Sequence, residues 1–260
     1  MGQHRLYGKL NKLQINPSLG EIAINSNGIY NAVKYHLDGF STVTVNIPSK
    51  LAEYASGTIE TITSGDLAGI TEIRQSAFNG LTSLRQVALP EGITTINNNA
   101  FSNCTGLETI NFPASLETIG NNAFAYCSSL SSDVILSDNV TSIGNNAFSS
   151  TAISSIKIGE GITSIPASAC NTIQSCKTID IGSRVTSIGN SAFYYARHCE
   201  TIICRATVPP TLENQAFGSV GSQTTGGCSL YVPSESVDAY KSDSWWTRFI
   251  SSERIYAIEE

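Results

Sequence analysis

Apolar residues recur along most of this chain at a nearly constant interval. The dipeptide Ala-Phe occurs six times, beginning at positions 77, 100, 123, 147, 192 and 216. Ala169-Cys170 fills the single gap in this series, so that successive anchors stand 22–24 residues apart. A fixed period of this length indicates a repeat architecture, in which each repeat is one structural unit stacked on the next.

Each repeat shows the same internal order of apolar and polar positions. The third copy has it in full: Leu107-x-x-Ile110-x-Phe112-Pro113-x-x-Leu116-x-x-Ile119-Gly120-Asn121-Asn122-Ala123-Phe124-x-x-Cys127. The spacing of two between Ile110 and Phe112 predicts a strand with alternate side chains inward. A further inward residue follows three positions after Leu116, and Ala-Phe begins a turn or short helical stretch. Each copy therefore predicts one coil of strand, bend, second short strand and turn.

A coil of about 23 residues has too few apolar side chains to offset the entropy lost on ordering its backbone. Its stability must come from neighbouring coils that share one core and pair their strands in a continuous parallel sheet. The pattern thus predicts a mainly β repeat solenoid of about seven coils over residues 58–228. The stretch from Ile59 to Ala77 is a degenerate first coil, in which Ile70 and Ile73 are in place but the strand spacing is disturbed.

Two flanking segments do not follow the period. Residues 1–57 contain a strand, Asn-Gly turn and strand at 21–30 and an alternating run from Phe40 to Pro48, so they predict a small β module that caps or attaches the solenoid. Residues 229–260 predict a C-terminal cap with a proline-broken strand at 229–234.

The predicted C-terminal cap also contains a short helix and two adjacent tryptophans. Ser234 is placed to cap the N-terminus of a helix carrying Val237 and Tyr240. Trp245 and Trp246 follow, and two interpretations remain: the indoles plug the last coil, or they form a ligand site.

The repeat motif resembles the BspA-type leucine-rich repeat. The resemblance rests on the run from Ile119 to Phe124 with Cys127, Leu130 and the strand positions that follow, and it covers residues 59 to about 228. A closing segment with Val208-Pro209-Pro210 and Leu230-Tyr231-Val232-Pro233 is also similar to the end of that family's repeats. The resemblance implies a right-handed leucine-rich-repeat-like stack and a surface or secreted protein of host-associated bacteria, active in adhesion and protein binding. The motif residues are structural, so no binding residue is carried over.

Composition excludes several classes of function. The chain has 15 Lys and Arg against 21 Asp and Glu, a net charge of −6, and no basic cluster of the kind that binds nucleic acid. No apolar run approaches the roughly 20 residues that span a bilayer, so membrane insertion is not expected. Residues 1–8 lack the apolar stretch of a secretory signal, so either a signal has been removed or the protein reaches its destination by another route.

Six of the seven cysteines occupy apolar positions of the repeat. Cys104 and Cys127 share one column, Cys176 and Cys199 replace leucine, Cys170 replaces phenylalanine, and Cys204 takes a strand position. An odd total without Cys-x-x-Cys spacing argues against a disulfide framework or a zinc site. We therefore expect free, buried thiols and no metal, with Cys104–Cys127 as the only pair whose spacing permits a bridge.

Catalysis is not expected. His198 stands beside Cys199, but neighbours on an extended strand point to opposite faces, so this pair does not form a nucleophile and its base. No nucleophile elbow, zinc-binding His-Glu-x-x-His or phosphate-binding glycine loop occurs. The sequence predicts no catalytic residue and no cofactor.

The outward strand positions form two columns along the predicted sheet. The hydroxyl column contains mainly Thr and Ser: Gln86, Thr109, Ser155, Thr178 and Thr201. The variable column contains Ala88, Asn111, Ile135, Lys157, Asp180 and Ile203. Thr and Ser favour exposed strand sites for structural reasons alone. The functional interpretation is that both columns form a weakly charged binding face, with specificity in the variable column. A second row of hydroxyls, at 95, 118, 142, 164 and 187, could also order water as an ice-binding face.

Two functions follow from this organisation. The first is a non-catalytic adhesion or binding scaffold that presents the sheet face to a protein or glycan at an extracellular or cell surface. The second is a phage virion component, in a tail, fibre or decoration protein, which uses the solenoid for host attachment or capsid or tail assembly. In this case residues 1–57 contact an assembly partner. The second is suggested by segments around Asn27–Tyr30 and Asp38–Val45, which resemble short modules of gut-bacterial and phage tail proteins.

Overall fold

The computed structural model describes residues 57–259 and two strands that precede them, β1 (Leu13–Ile15) and β2 (Val43–Val45). β1 and β2 pair in antiparallel orientation. The strand predicted in the alternating run that ends at Pro48 is therefore confirmed at β2. The hairpin predicted at 21–30 lies outside the described residues.

Residues 57–259 form a parallel β-solenoid of about nine turns. The inward residue of each strand is fully or nearly fully buried, and the residues beside it face solvent. The strands of the first side are β3 (Thr61–Ile62), β5 (Gln86–Val87), β7 (Thr109–Ile110), β9 (Val134–Ile135), β11 (Ser155–Ile158), β13 (Thr178–Ile181), β15 (Thr201–Cys204), β17 (Ser229–Val232) and β18 (Ile255–Ala257). The strands of the second side are β4 (Glu72–Ile73), β6 (Thr95–Ile96), β8 (Thr118–Ile119), β10 (Ser142–Ile143), β12 (Ser164–Ile165), β14 (Ser187–Ile188) and β16 (Thr211–Leu212).

The stack extends beyond the seven coils of the sequence period. β3 pairs with β5, so the degenerate first coil joins the sheet, with Ile59 and Ile62 both buried. At the other end β17 pairs with β15, and β18 pairs with β17. The strand predicted at 229–234 is thus confirmed as β17, and β18 is a further strand of the first side that the sequence did not predict.

Each side is divided once, and each division has a local cause. On the first side β7 and β9 belong to different sheets, because one extra residue separates Leu130 from Val134 compared with Leu107 and Ile110. On the second side β10 and β12 belong to different sheets. There Pro166 occupies the position at which Gly144 and its counterparts donate a backbone N–H to the preceding coil, and proline has no N–H to donate.

The third side of each coil is a turn-rich segment around the Ala-Phe dipeptide. Phe101 N donates to Ala123 O in the next coil, and Phe124 N donates to Ala147 O, each at 2.8 Å. The residue before each alanine has positive φ, as at Asn122 with 54°. Six of these seven positions in the described coils hold Asn or Ser, short polar residues that tolerate this conformation better than bulky ones.

Glycine in the Ile-Gly-Asn motif permits close approach of successive coils. A Cβ on Gly120 would lie 2.5 Å from the backbone N of Asn98, and one on Gly144 would lie 2.3 Å from that of Asn121. No real Cβ sits so close to backbone, and the motif therefore needs glycine at this position.

The core is an elongated apolar column with stacked phenyl rings at its centre. Phe101 and Phe124 stack at 5.3 Å between ring centroids, and Phe124 and Phe148 do the same. Phe112 packs edge-on against both Phe124 and Phe148. Cys170 replaces a phenyl ring, after which stacking resumes at Phe193.

The C-terminal cap is helical, as expected, but it begins differently. A 3-10 turn, Ser234–Ser236, precedes helix α1 (Val237–Ser242), which is followed by helix α2 (Ser244–Phe249). The prediction that Ser234 caps the helix is wrong, because Ser234 lies in the 3-10 turn and its hydroxyl donates to Glu235. The side-chain cap is instead Asp243, which accepts from the backbone N–H groups of Trp245 and Trp246 at the start of α2.

Candidate functional site: the outer face of the first side

The strand register places the predicted columns side by side. Ser155, Thr178 and Thr201 are direct partners on adjacent strands. In the variable column, Lys157 pairs with Ile135 and with Asp180, and Asp180 pairs with Ile203. Seven of the nine predicted site residues therefore lie together on one six-stranded sheet, which contains β9, β11, β13, β15, β17 and β18 and is called the β9–β18 sheet below.

The other two predicted residues, Thr109 and Asn111, lie at the separate three-stranded sheet. Thr109 pairs with Gln86, and the sheet ends at β7. The inserted residue in the fourth coil places Asp133, rather than a hydroxyl residue, in register with Ser155. Both Ser154 and Ser155 donate their hydroxyls to Asp133 at 2.7 Å, which lowers the pKa of this carboxyl. Sequence reasoning missed Asp133 because the predicted hydroxyl column contained no residue from the fourth coil.

Asn111 is exposed, but its side-chain amide bonds to the backbone of the preceding coil. Its Oδ1 accepts from Leu89 N at 2.7 Å, and its Nδ2 donates to Leu89 O at 2.9 Å. These two bonds reproduce a strand pairing beyond the end of β7. Asn111 therefore holds adjacent coils together through the polar atoms that were expected to contact a ligand.

Asp180 is likewise engaged. Arg205 Nε and Nη2 donate to its two carboxylate oxygens, each at 2.8 Å, in a bidentate ion pair across two strands. The carboxylate is mostly buried, whereas the Arg205 side chain is 41% exposed. Such pairing fixes the geometry and neutralises the carboxylate. Asp180 therefore stabilises the face and leaves the guanidinium of Arg205 at its surface.

The variable column continues past Ile203 into two tyrosines that sequence reasoning did not include. Ile203 pairs with Tyr231, and Tyr231 pairs with Tyr256. The two rings lie 5.6 Å apart between centroids, and Tyr256 is 43% exposed. We call Ile203, Tyr231 and Tyr256 the aromatic end of the face. The signal that could have found Tyr231 is the strand predicted at 229–234, but a longer loop before it breaks the period.

The charges that border this face are paired between coils. Lys177 forms an ion pair with Glu200, and Arg85 pairs with Glu108 at 3.0 Å. Each pair joins residues at the same position of successive coils. Apart from Lys157, which is exposed, the variable column on β9–β18 presents mainly apolar and aromatic groups, including Ile135 at 60% exposure. The face is therefore weakly charged.

The cysteines are buried as the repeat predicts. All seven are free thiols, and burial raises the pKa of both Cys104 and Cys176 to about 12. Cys199 is fully buried. The Nδ1 atom of its neighbour His198 lies 2.7 Å from Gln174 O. The two side chains diverge, and the geometry of a Cys-His nucleophile pair is not present.

Metal-binding clusters and membrane-spanning helices are absent from the described part of the chain. Residues 57–259 contain no group of three or more His, Cys, Asp or Glu placed to hold a metal ion. Over the same residues no helix is long and apolar enough to cross a membrane.

A family model matches the solenoid. The model described as the BspA type leucine rich repeat region matches six copies over residues 53–171 and 132–225. The match begins before β3 and ends within the loop that precedes β17. No curated protein is significantly similar in sequence.

Solved structures of bacterial repeat proteins are similar to this chain. A leucine-rich repeat protein of T. pallidum is 25% identical with a TM-score of 0.46, covering 54% of this chain and 72% of that one. A leucine-rich cell surface protein of Faecalibacterium prausnitzii is 23% identical with a TM-score of 0.42, covering 77% of this chain and 65% of that one. The pneumococcal vaccine antigen PcpA is 21% identical with a TM-score of 0.44; 78% of this chain covers 42% of that protein.

Proposed function

Because the chain belongs to the BspA-type leucine-rich repeat family, we propose that it is a non-catalytic binding module that holds a protein partner on the aromatic end of its first side. Leucine-rich repeats suit protein binding because stacked coils present a broad, rigid surface. The specific proposal is the location of the contact, at Ile203, Tyr231 and Tyr256, with Ile135 and Lys157 further along the same column.

The observation that supports this location is the contrast within the variable column. The polar side-chain atoms of Asn111 and Asp180 already bond to Leu89 and Arg205, respectively. Ile203, Tyr231 and Tyr256 instead lie in one row on three paired strands and offer apolar surface and two phenol groups to solvent. Tyrosine is enriched at binding interfaces because it combines a large apolar ring with a polar tip.

The absence of catalysis is part of the proposal. Thiols with a pKa near 12 are almost entirely protonated at neutral pH, and only the thiolate is a good nucleophile. His198, the histidine nearest to a thiol in sequence, is turned away from Cys199 to a backbone carbonyl. A scaffold with an extended apolar core and a flat outer face supports recognition better than bond-making.

We also propose an extracellular or cell-surface location, since that is what the family resemblance implies. The polar, weakly charged surface and the charge of −6 are compatible with it. Antibody labelling of intact and permeabilised cells of the source organism tests the location. Signal in intact cells supports it, and signal only after permeabilisation contradicts it.

Binding can be tested with an array of purified extracellular proteins and a parallel glycan array. The wild-type chain is compared with the double variant Ile203→Thr/Tyr256→Thr, which keeps strand-forming residues. A matched control, Thr118→Ala/Ser142→Ala, alters the second side, where both residues lie on paired strands. We expect protein hits that persist in the control and weaken at least tenfold in the first variant.

Three outcomes would contradict the proposal: equal binding by both double variants, hits confined to the glycan array, or hits in neither array. Circular dichroism melting of each variant shows whether a loss of binding reflects unfolding.

A further inference from the structure

Two of the buried thiols face each other across adjacent coils. Cys228 Sγ lies 3.7 Å from Cys199 Sγ and donates a weak hydrogen bond to it. Cys228 directly precedes β17 and Cys199 stands two residues before β15, and these strands are paired through Thr201 and Ser229. A disulfide has a sulfur–sulfur distance of about 2.0 Å, so the two sulfurs must approach each other by about 1.7 Å to bond.

Cys199 and Cys228 also donate to the backbone carbonyls of Thr201 and Ser229, but the other cysteines with a hydrogen bond contact carbonyl or hydroxyl oxygens without a second sulfur. Cys104 Sγ donates to Phe78 O at 2.9 Å, and Cys127 Sγ donates to Phe101 O at 3.1 Å. The pair whose spacing appeared to permit a bridge thus points each sulfur at a carbonyl of the preceding coil. Cys204 Sγ contacts Tyr240 Oη at 3.2 Å. Within the described residues, Cys199 and Cys228 are the pair of cysteines whose sulfurs contact each other directly.

The chain between these cysteines contains an unusual loop. Ala216 and Leu230 are 14 residues apart, whereas the equivalent Ala192 and Ile202 are 10 apart. The extra residues lie in segment 218–227, which contains four glycines and is mostly solvent-exposed from 222 to 226. Glycine-rich exposed loops open locally at low energetic cost.

Residues 218–221 are held to the solenoid by buried Val220 and by the bond from Tyr195 N to Gly218 O at 2.9 Å, whereas few contacts hold residues 222–226. Gly221 N donates to Ala196 O at 3.0 Å, and Gln223 N donates to Arg197 O at 2.9 Å. From the other side, Arg254 donates to the carbonyls of Gly227 and Cys228. A covalent link between Cys199 and Cys228 would close the base of this loop.

We propose that Cys199 and Cys228 form a cross-linking site, which a small disulfide such as oxidised glutathione converts into a protein disulfide that fastens loop 218–227 to the preceding coil. The thiolate of Cys228, which retains slight exposure, attacks the small disulfide and releases one small thiol. Cys199 then attacks the Cys228 sulfur of the mixed disulfide and releases the second. Two protein thiols are oxidised and one small disulfide is reduced to two thiols, which take up both protons.

Access limits the rate of this exchange. The hydrogen bond from Cys228 and burial both raise the pKa of Cys199. The second step therefore needs the loop to open, or the link forms while the chain folds. Denaturant at a concentration below the unfolding transition should speed the reaction by loosening the loop.

The test uses the full chain, prepared reduced and then equilibrated with excess oxidised glutathione at pH 8. Free thiols are alkylated in denaturant before and after oxidation, followed by trypsin digestion and mass spectrometry. Cleavage after Arg197, Arg205 and Lys241 yields peptides 198–205 and 206–241. We expect two fewer alkylated thiols, a loss of two hydrogen atoms and a linked peptide pair. Fragmentation must assign the link to Cys199 rather than Cys204 in the first peptide.

A second readout is independent of thiol counting. A protease that cuts within the exposed loop at 222–226 splits the chain between the two cysteines. Under non-reducing gel conditions the fragments of the oxidised chain should stay joined, and reductant should separate them. The Cys228→Ala variant should give separate fragments in both conditions, while Cys127→Ala should behave as wild type.

Seven alkylated thiols after equilibration would overturn the proposal, as would a linkage between Cys176 and Cys199 or any other pair. Fragments that separate without reductant in the oxidised wild-type chain would do the same. The result is independent of the binding function, since no partner takes part.

Discussion

The indole of Trp246 packs on the ring of Phe217, with centroids 5.3 Å apart and the ring planes inclined at 40°. Phe217 is the last phenyl ring contributed by an Ala-Phe dipeptide, so Trp246 continues the aromatic column beyond the repeats. Its Nε1 donates to Pro210 O at 3.0 Å. For Trp246, the structure therefore supports the interpretation that the indole plugs the last coil. Trp245 is 44% exposed and has Arg248 beside its ring.

We expect Trp246→Ala to destabilise the chain by about 3–5 kcal/mol, because it leaves a large cavity over Phe217 and removes a buried hydrogen bond. Trp245→Ala is the matched control and should cost less than about 1 kcal/mol, mainly a cation–π contact with Arg248. Urea denaturation followed by circular dichroism measures both. Equal losses of stability would show that Trp246 does not have this capping role.

Gly144→Ala should destabilise the stack by at least about 1–3 kcal/mol, since the new Cβ would lie 2.3 Å from the backbone N of Asn121. Gly65→Ala is a suitable control, as the nearest atom to its Cβ would be 3.8 Å away and its φ is not positive. The comparison of unfolding midpoints checks this. A destabilisation by Gly65→Ala as large as that by Gly144→Ala would contradict the close-approach explanation.

Asn111→Ala should lower the free energy of unfolding by about 1–3 kcal/mol, because Leu89 loses both partners of its backbone N–H and C=O. Ile135→Ala, on the same face and 60% exposed, should change it by less than about 1 kcal/mol. If the two variants are equally stable, the side-chain bonds of Asn111 contribute nothing to folding stability. Asn111 would then again be a candidate ligand contact.

Position 172 should prefer asparagine. Thr172 has φ of +61° at the turn position that Asn103 fills with φ of +60° in another coil. A β-branched residue is strained there, so Thr172→Asn should stabilise and Asn103→Thr destabilise, each by about 1 kcal/mol. Thermal melting of the two single variants provides the test, and changes of the same sign in both would refute it.

Stability should fall at alkaline pH in the presence of reductant. The thiol of Cys176 has an ordinary pKa of 9.0, which burial raises to about 12 in the folded chain. Between these values the unfolded state has lost the proton and the folded state has kept it, so stability decreases as pH rises and is unaffected below pH 9. Each such thiol contributes about 1.4 kcal/mol per pH unit.

Urea midpoints at intervals from pH 7 to pH 11 measure this dependence. Cys176→Val removes one titrating group and should make the decline shallower by about that amount. A flat profile above pH 9 in the wild-type chain would be incompatible with buried neutral thiols.

Periodicity predicts the fold well because each coil repeats the same solution to the same packing problem. The Leu-x-x-Ile-x-Phe spacing of the third copy predicts which side chains are inward, and burial confirms it at Leu107, Ile110 and Leu116. Where a residue is inserted, as before Val134, the pattern still assigns Ile135 to the variable column, but it does not identify Asp133 as the neighbour of Ser155. The extra loop before β17 hides Tyr231 for the same reason.

The use of side chains is harder to predict than their position. The columns correctly place Asn111 and Asp180 on the outer face, but spacing does not reveal that Leu89 and Arg205 engage them. Such contacts depend on the height of one coil above the next and on the rotamers of long side chains. The contact between Cys199 and Cys228 is likewise set by three-dimensional offset across a loop of irregular length.

The backbone hydrogen bonds that join successive coils at the Ala-Phe steps of the third side run in one direction. At each Ala-Phe step an N–H points toward the following coil and meets a carbonyl that points back, from Phe78 and Ala100 to Phe193 and Ala216. Aligned peptide dipoles add, as they do along an α-helix, whereas those of the strands alternate. The third side of the solenoid therefore has a net dipole along the stack, and its positive end lies at the coil of Phe217. Each coil that makes one of these bonds adds to this dipole.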